Sequence, residues 1–344
     1  PAFFVQQPAE QRRGNGLGNA GRHQNQPCGR AGEQQDLLGV HGHEQFQAQK
    51  QERSGGQNHH AVTELCVLER AQVQKRRGDA ELAADKPGGQ PQRYGQQAGH
   101  YQNLFDSETG YMRAKDRQGH FRADFSPYSW GRDYAECSAI QNTLSVFHDI
   151  EGLKELMGGK PAFTDYLTRL CQDQPYFDVR GYGYEIHEMS EMANAHFGQL
   201  AISNQPSFHI PYLFRYSAKP EYTSLLIKSL REEAFQAGWQ AFPGDEDNGS
   251  LSAWYIWSAI GLYPTCPGKP FYDLGIPLFN HLRLYLPQSQ TWLDIYARDN
   301  NPHFQFVTKT KLDGQALQQI SHEELLVAKR LDFHLSWLPN ASKE

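Results

Sequence analysis

The chain has 344 residues, 38% of them hydrophobic, a net charge of -6 and a mean hydropathy of -0.71. That length holds one large or two ordinary domains. The acidic balance, with no basic stripe interleaved with aromatics, excludes an electrostatic footprint for nucleic acid, and no apolar run approaches the ~18 residues that a membrane span needs. Cys28, Cys66, Cys137, Cys171 and Cys266 are scattered without a CxxC pair, so neither a zinc site nor a disulfide framework is indicated.

Residues 1–97 read unlike the rest. Of the first 100 residues 18 are Gln, no Trp or Tyr precedes Tyr94, and no Ile precedes Ile140. Stretches such as EQFQAQKQERSGGQNHH (44–60) have neither helical nor strand periodicity, and a segment of that kind buries too little apolar surface to offset its ordering entropy. Three readings stay open for this Gln/Gly/Arg-rich segment: a disordered tail, a wrong-frame translation joined to a real coding sequence, or a genuine but unrecognised domain. His41, His43, His59 and His60 lack Cys or carboxylate partners at ligand spacing, so no metal site is expected there.

From about Ala98 the chain reads as globular. EGLKELM (151–157) predicts a helix stopped by Gly158-Gly159. Pro161 opens a second helix at its favoured first position, with Phe163, Tyr166, Leu167 and Leu170 as its apolar face. A third is expected over 221–237, with Leu226, Leu230 and Ala234 inward and Gly238 as the stop. A fourth, capped by Ser250 or Ser252, runs to Ile260 and ends at Gly261. After Pro264 the period changes to two: Leu282, Leu284 and Leu286 alternate with polar residues, as do Leu293, Ile295 and Ala297, and Leu331, Phe333, Leu335 and Trp337. Asp313-Gly314 is a hairpin signal. Helices followed by strands predict a mainly α region, 98–263, and a C-terminal antiparallel β layer, 264–344.

Between the third and fourth helices lies FPGDEDNGS (242–250), with Asp245, Glu246 and Asp247 in a row. Carboxylates this close require water, a cation or a raised pKa to coexist. An EF-hand is rejected: the glycine falls at the fifth position and Ile256 stands where the twelfth-position Glu belongs. A pair of carboxylates for glycoside hydrolysis fits better, one protonating the leaving oxygen and one activating water, with the second carboxylate supplied from elsewhere in the chain. His187-Glu188-x-x-Glu191 lacks the second His of a zinc-protease helix, so zinc is not expected there.

Several motifs occur together in one order: NLFDSETGYMRAKDRQGHF (103–121), YAECSAIQNTLSVFHDIEGLKELMGGKPAF (134–163), FGQLAISNQPSFHIPYLF (197–214) and GDEDNGSLSAWYIWSAIGLYPTCPG (244–268). In these the sequence resembles glycoside hydrolase family 92, the calcium-dependent exo-α-mannosidases, over roughly residues 98–340. The resemblance implies a partial (α/α)6 barrel, of which this chain carries the later helices and the strands that follow. It implies inverting hydrolysis of terminal α-linked mannose from glycans, with Glu136 as general acid and Asp247, helped by Asp245, as the base. Gln141, His209 and Glu246 are implied at the substrate, and Asn204, Gln205 and Asp247 at a Ca²⁺ ion. An extracellular or periplasmic location is implied as well, although no leader is read in this chain; the oligomeric state is not readable. The chain departs from the family pattern at Cys137-Ser138, Ile140, Ile202, Gln205 and Phe208. A catalytically inactive fragment or decayed relative, binding carbohydrate weakly at most, is therefore the alternative.

Overall fold

The computed structural model describes residues 90–298 and 300–339. The expectations for residues 1–89, the four histidines included, lie outside the described residues.

Helices dominate up to Ile260 and strands follow, as the change of hydrophobic period predicts. Helix α1 (Gln90–Ala98) begins within the segment read as low-complexity, crosses its boundary at 97/98 and leads through a 3-10 turn into a small hairpin, β1 (Phe105–Asp106) and β2 (Tyr111–Met112). Then come α2 (Ala139–Asn142), α3 (Ile150–Leu156), α4 (Lys160–Gln172), α5 (His187–Ala195), α6 (Ile210–Leu213), α7 (Tyr222–Glu233) and α8 (Ser250–Ile260). The expected face of α4 is inward: Phe163, Tyr166, Leu167 and Leu170 are all buried. They join Leu200, Leu226, Leu230 and Trp254 in one core.

Two helix ends differ from expectation. Helix α7 stops at Glu233, before Gly238, with Ala234 as its cap. The next residue, Phe235, turns inward and stacks on Trp254 with ring centroids 5.4 Å apart and an interplanar angle of 6°. Burying that ring outweighs another turn of helix, and Gly238, at φ 116°, serves the loop instead. At the start of α8 neither Ser250 nor Ser252 is the cap: Gly249 holds that position without a side-chain bond, and the Glu246 carboxylate accepts from the backbone N–H groups of Gly249 and Ser252.

The C-terminal strands are β3 (Leu262–Tyr263), β4 (Phe271–Leu274), β5 (His281–Leu286), β6 (Thr291–Tyr296), β7 (Phe306–Leu312), β8 (Gln315–Ala316), β9 (Gln319–Ser321) and β10 (Arg330–Ser336). They form a three-stranded sheet, β3-β4-β9, and a five-stranded one, β5-β6-β10-β7-β8. Asp313 and Gly314 make the hairpin turn as expected, both at positive φ. The larger sheet is mixed rather than antiparallel. Strand β10 inserts between β6 and β7, pairs antiparallel with β7, and so runs parallel to β6. The short helix α9 (His322–Val327) was not anticipated, although its capping box, Ser321 with Glu324, stands in the sequence. The inward residues of the three strands, Leu286, Leu293, Ile295, Leu331 and Phe333 among them, build a second core with Ile260 and Leu274. Trp337, expected inward, is 65% exposed beyond the end of β10.

Helix α8 is fastened to both cores. Arg231 of α7 is buried and donates from Nη1 to the carbonyls of Ser258 (2.7 Å) and Ile276 (2.8 Å). Gly261 ends α8 at φ 89°, and a Cβ there would sit 2.8 Å from Pro277 Cγ. Gly261→Ala therefore combines a left-handed backbone with an overlap. We expect it to cost at least the 1–2 kcal/mol typical of the left-handed region alone, read from the shift in the urea unfolding midpoint.

Candidate active site

Three segments separated in sequence meet here. The first precedes α2. Ser138 and Gln141 form a capping box: Gln141 Oε1 accepts from Ser138 N (2.8 Å) and Oγ (2.7 Å), and Ser138 Oγ accepts from Ile140 N (3.2 Å). Gln141 Nε2 then donates to the Gln199 carbonyl at 2.7 Å. Gln141 is wholly buried, so the structure places it behind the site as a brace. Two residues upstream of the box, Glu136 is exposed at φ 52°, its backbone N–H donating to the Tyr182 hydroxyl at 3.0 Å.

The second segment is the 3-10 turn Gln205–Ser207. Its cap, Asn204, is buried and accepts the Gln205 N–H on Oδ1 at 2.9 Å. That bond fixes which end of the amide is which. Nδ2 is left to donate to Glu136, at 3.1 Å from Oε2 and 3.3 Å from the backbone carbonyl.

The third is the acidic turn. Asp247, Asn248 and Gly249 are consecutive at φ 55°, 54° and 95°. Gln205 Nε2 donates to Asp247 Oδ2 at 2.8 Å. An unbroken run of hydrogen bonds and one peptide bond thus joins Glu136 to Asn204, Gln205 and Asp247. Left-handed conformations at residues other than glycine cost about 1–3 kcal/mol each and concentrate at functional sites. Here both expected carboxylates, Glu136 and Asp247, are such residues.

Gly244 is required by space. A Cβ at that position would lie 2.4 Å from Glu191 Oε2 and 2.8 Å from Ser203 Cβ. The backbone of the turn therefore passes directly over α5, where a second cluster sits. His187 Nδ1 lies 2.9 Å from Glu191 Oε1; its Nε2 lies 3.4 Å from Glu188 Oε1 and 3.9 Å from Asp245 Oδ2. The bond to Glu191 raises the His187 pKa, and burial raises that of Glu191. The i,i+4 spacing that resembles half a zinc helix serves a His–carboxylate pair, and among the described residues no three of His, Cys, Asp and Glu are grouped to hold a metal. Sequence reasoning weighed His187, Glu188 and Glu191 only as a zinc helix and missed their place beside the acidic turn, and it missed Tyr182 at the Glu136 amide; the spacing of the first three is visible in the sequence, but the partner across the fold is not.

The remaining expected residues take other places. Glu246 is the acceptor at the head of α8 described above, and its pKa is lowered by the bonds from Ser252 and Gly249. Since the folded pKa is depressed, this stabilisation is present above the unfolded pKa and is lost as pH falls through the folded one. Hydrogen exchange at the Ser252 amide is expected to accelerate as the solution is acidified, relative to the chemical rate, and to lose that pH dependence in Glu246→Gln. His209 does not reach the site: it is buried, with Nε2 2.8 Å from the Leu144 carbonyl and the Phe147 ring packed edge-on, and burial pushes its pKa down to about 4.

The model of the glycosyl hydrolase family 92 catalytic domain matches residues 61–337, starting ahead of residue 98, where the sequence motifs begin. Among solved structures, an inverting family 92 mannosidase from Bacteroides thetaiotaomicron is 38% identical with a TM-score of 0.63, over 72% of this chain and 34% of that one. A family 92 α-mannosidase from the same organism, solved with mannoimidazole, is 25% identical with a TM-score of 0.63, over 70% of this chain and 32% of that one. An uncharacterized secreted glycosidase of Arthroderma benhamiae is 24% identical over 275 residues, 72% of this chain and 32% of its own length. The chain thus spans about a third of the length of the relatives it matches. With the motif order, the acidic turn and the family match in agreement, the chain belongs to glycosyl hydrolase family 92.

Proposed function

We propose that this chain is part of the catalytic region of an exo-α-mannosidase, acting by inversion on terminal α-linked mannose of glycans, with α2 to α8 as the later helices of an (α/α)6 barrel. The observation that carries this reading is the hydrogen-bonded run from Glu136 to Asp247, with both residues held at positive φ. In the proposed mechanism the Glu136 carboxyl protonates the glycosidic oxygen as the bond to the anomeric carbon breaks. Asp247 takes a proton from a water attacking the opposite face, and Asp245 supports it. Glu246 holds the turn at the head of α8, and Gln141 braces the loop that carries Glu136. His209 contributes through the core. The inverting relative supports the stereochemistry, and the secreted fungal relative supports an extracellular or periplasmic location. Among the described residues no helix is long and apolar enough to cross a membrane.

Calcium is expected at Asn204, Gln205 and Asp247, and the residues do not fit it as they stand. Calcium takes six to eight hard oxygen ligands. Here Asn204 and Gln205 turn N–H donors toward the two carboxylates, and Asp247 is the single charged oxygen donor of the three. No step of the mechanism is therefore routed through a metal.

The second reading, an inactive fragment that binds carbohydrate weakly, is favoured by one observation: Glu136, Asp245 and Asp247 all lie exposed in a chain about a third the length of its relatives. Proton NMR of a methyl α-mannoside or mannobiose incubated with the protein separates the two. First-formed β-mannose supports the hydrolase. First-formed α-mannose excludes inversion, and no release beside saturable line broadening of the sugar supports the binding fragment.

A further inference from the structure

We infer that Asn204 and Gln205 act as an amide clamp, two neutral donors that hold the Glu136 and Asp247 carboxylates in place of a divalent cation, so that this chain's site is assembled without calcium. The inference rests on the functional reading only for naming the acid and the base; the clamp itself rests on geometry.

Carboxylates gathered into one site need either a cation or hydrogen-bond donors. The donors here are fixed in direction by their chemistry. Asn204 Oδ1 is committed to the Gln205 N–H at 2.9 Å, so the end facing Glu136 is the N–H₂ end. An ionised carboxylate only accepts, so the Gln205 atom 2.8 Å from Asp247 Oδ2 is the donor nitrogen, not the amide oxygen. An ion near these carboxylates would meet N–H dipoles pointing the wrong way. The adjoining positions of the two amides, one peptide bond apart at the head of a 3-10 turn, set the spacing of acid and base through the backbone. On the other side of the turn a titratable partner is supplied by the protein: His187 faces Glu191, Glu188 and Asp245 through its two ring nitrogens. Asn204 and Gln205 are thus positioning residues, and charge at position 205 decides whether the site takes a metal.

The test is terbium and calcium binding by the whole chain, followed by tryptophan-sensitised terbium luminescence and by calorimetry. Wild-type protein is expected to show no saturable binding up to about 1 mM, the weak end of protein calcium sites. Gln205→Glu replaces the donor by a second carboxylate and is expected to gain one saturable site in the range of about 10⁻⁴–10⁻³ M, lost again in Gln205→Glu/Asp247→Asn. Gln205→Met, similar in volume and without donor or charge, is expected to bind no ion, which separates charge from simple opening of the clamp. Saturable binding by the wild type that Asp247→Asn removes would overturn the inference. So would binding by the Met variant, or a folded Glu variant, judged by circular dichroism, that gains no site. Mannose release by the wild type is expected to be unchanged in EDTA, and its abolition would also overturn the clamp. If no mannose is released at all, the functional reading fails while the terbium titration still decides this one.

Discussion

Replacing Glu136 by Gln is expected to slow release of mannose from a mannobiose by about 10²–10⁴-fold, the range for loss of a general acid or base. The loss should shrink sharply with a dinitrophenyl mannoside, whose leaving oxygen departs without a proton. Asp247→Asn should instead slow both substrates alike, because activation of water does not depend on the leaving group. The double variant should fall well short of the product of the single losses, since residues acting as a unit are not additive. Equal leaving-group dependence in the two variants would sink the assignment of roles. Neither change is expected to lower stability: both side chains are solvent-exposed, and releasing a left-handed acidic residue to its amide removes little packing.

Trp254→Ala should have the largest effect on stability, about 3–5 kcal/mol by the usual range for buried Trp, measured by urea denaturation. Trp254 is 1% exposed, stacks on Phe235 at 5.4 Å, and donates from Nε1 to the Phe208 carbonyl at 3.0 Å. Truncation leaves a cavity and also an unmet buried carbonyl. Trp254→Phe should recover most of the packing but not the hydrogen bond, with a loss of about 1–3 kcal/mol. Since Phe208 follows the Gln205–Ser207 turn and Trp254 lies one turn into α8, the same contact ties two of the three site segments together. The Ala variant should therefore lose activity at temperatures where Leu→Ala changes of similar cost in the β region do not.

Much of the secondary structure was legible because period and punctuation agree along the chain. The α4 face, the Asp313-Gly314 hairpin and the Gly261 stop all came from spacing that local sterics enforce. Three differences from expectation are instructive. Helix α7 ended early because Phe235 had a ring to stack on. The head of α8 was held by Glu246 instead of a serine because the turn folds its carboxylate back over the first N–H groups. Strand β10 ran parallel to β6 because its place in the sheet is set by the four elements that intervene. The helix end and the strand order depend on partners remote in sequence, and the Glu246 cap, only three and six residues from its donors, depends on the left-handed turn at Asp247–Gly249.

The same division holds for the site. The sequence by itself determined that Glu136, Asn204, Gln205 and the acidic turn belong to one family motif set, since residue types in order carry that resemblance. Only the tertiary structure decided what they do to one another. Whether an amide at 204 or 205 offers oxygen or nitrogen depends on which backbone N–H takes its other end. Whether Gln141 and His209 face a sugar or the core depends on which carbonyl stands opposite. Hydrogen bonds are directional and span a few ångströms, so their assignment waits on the packing that brings remote segments face to face.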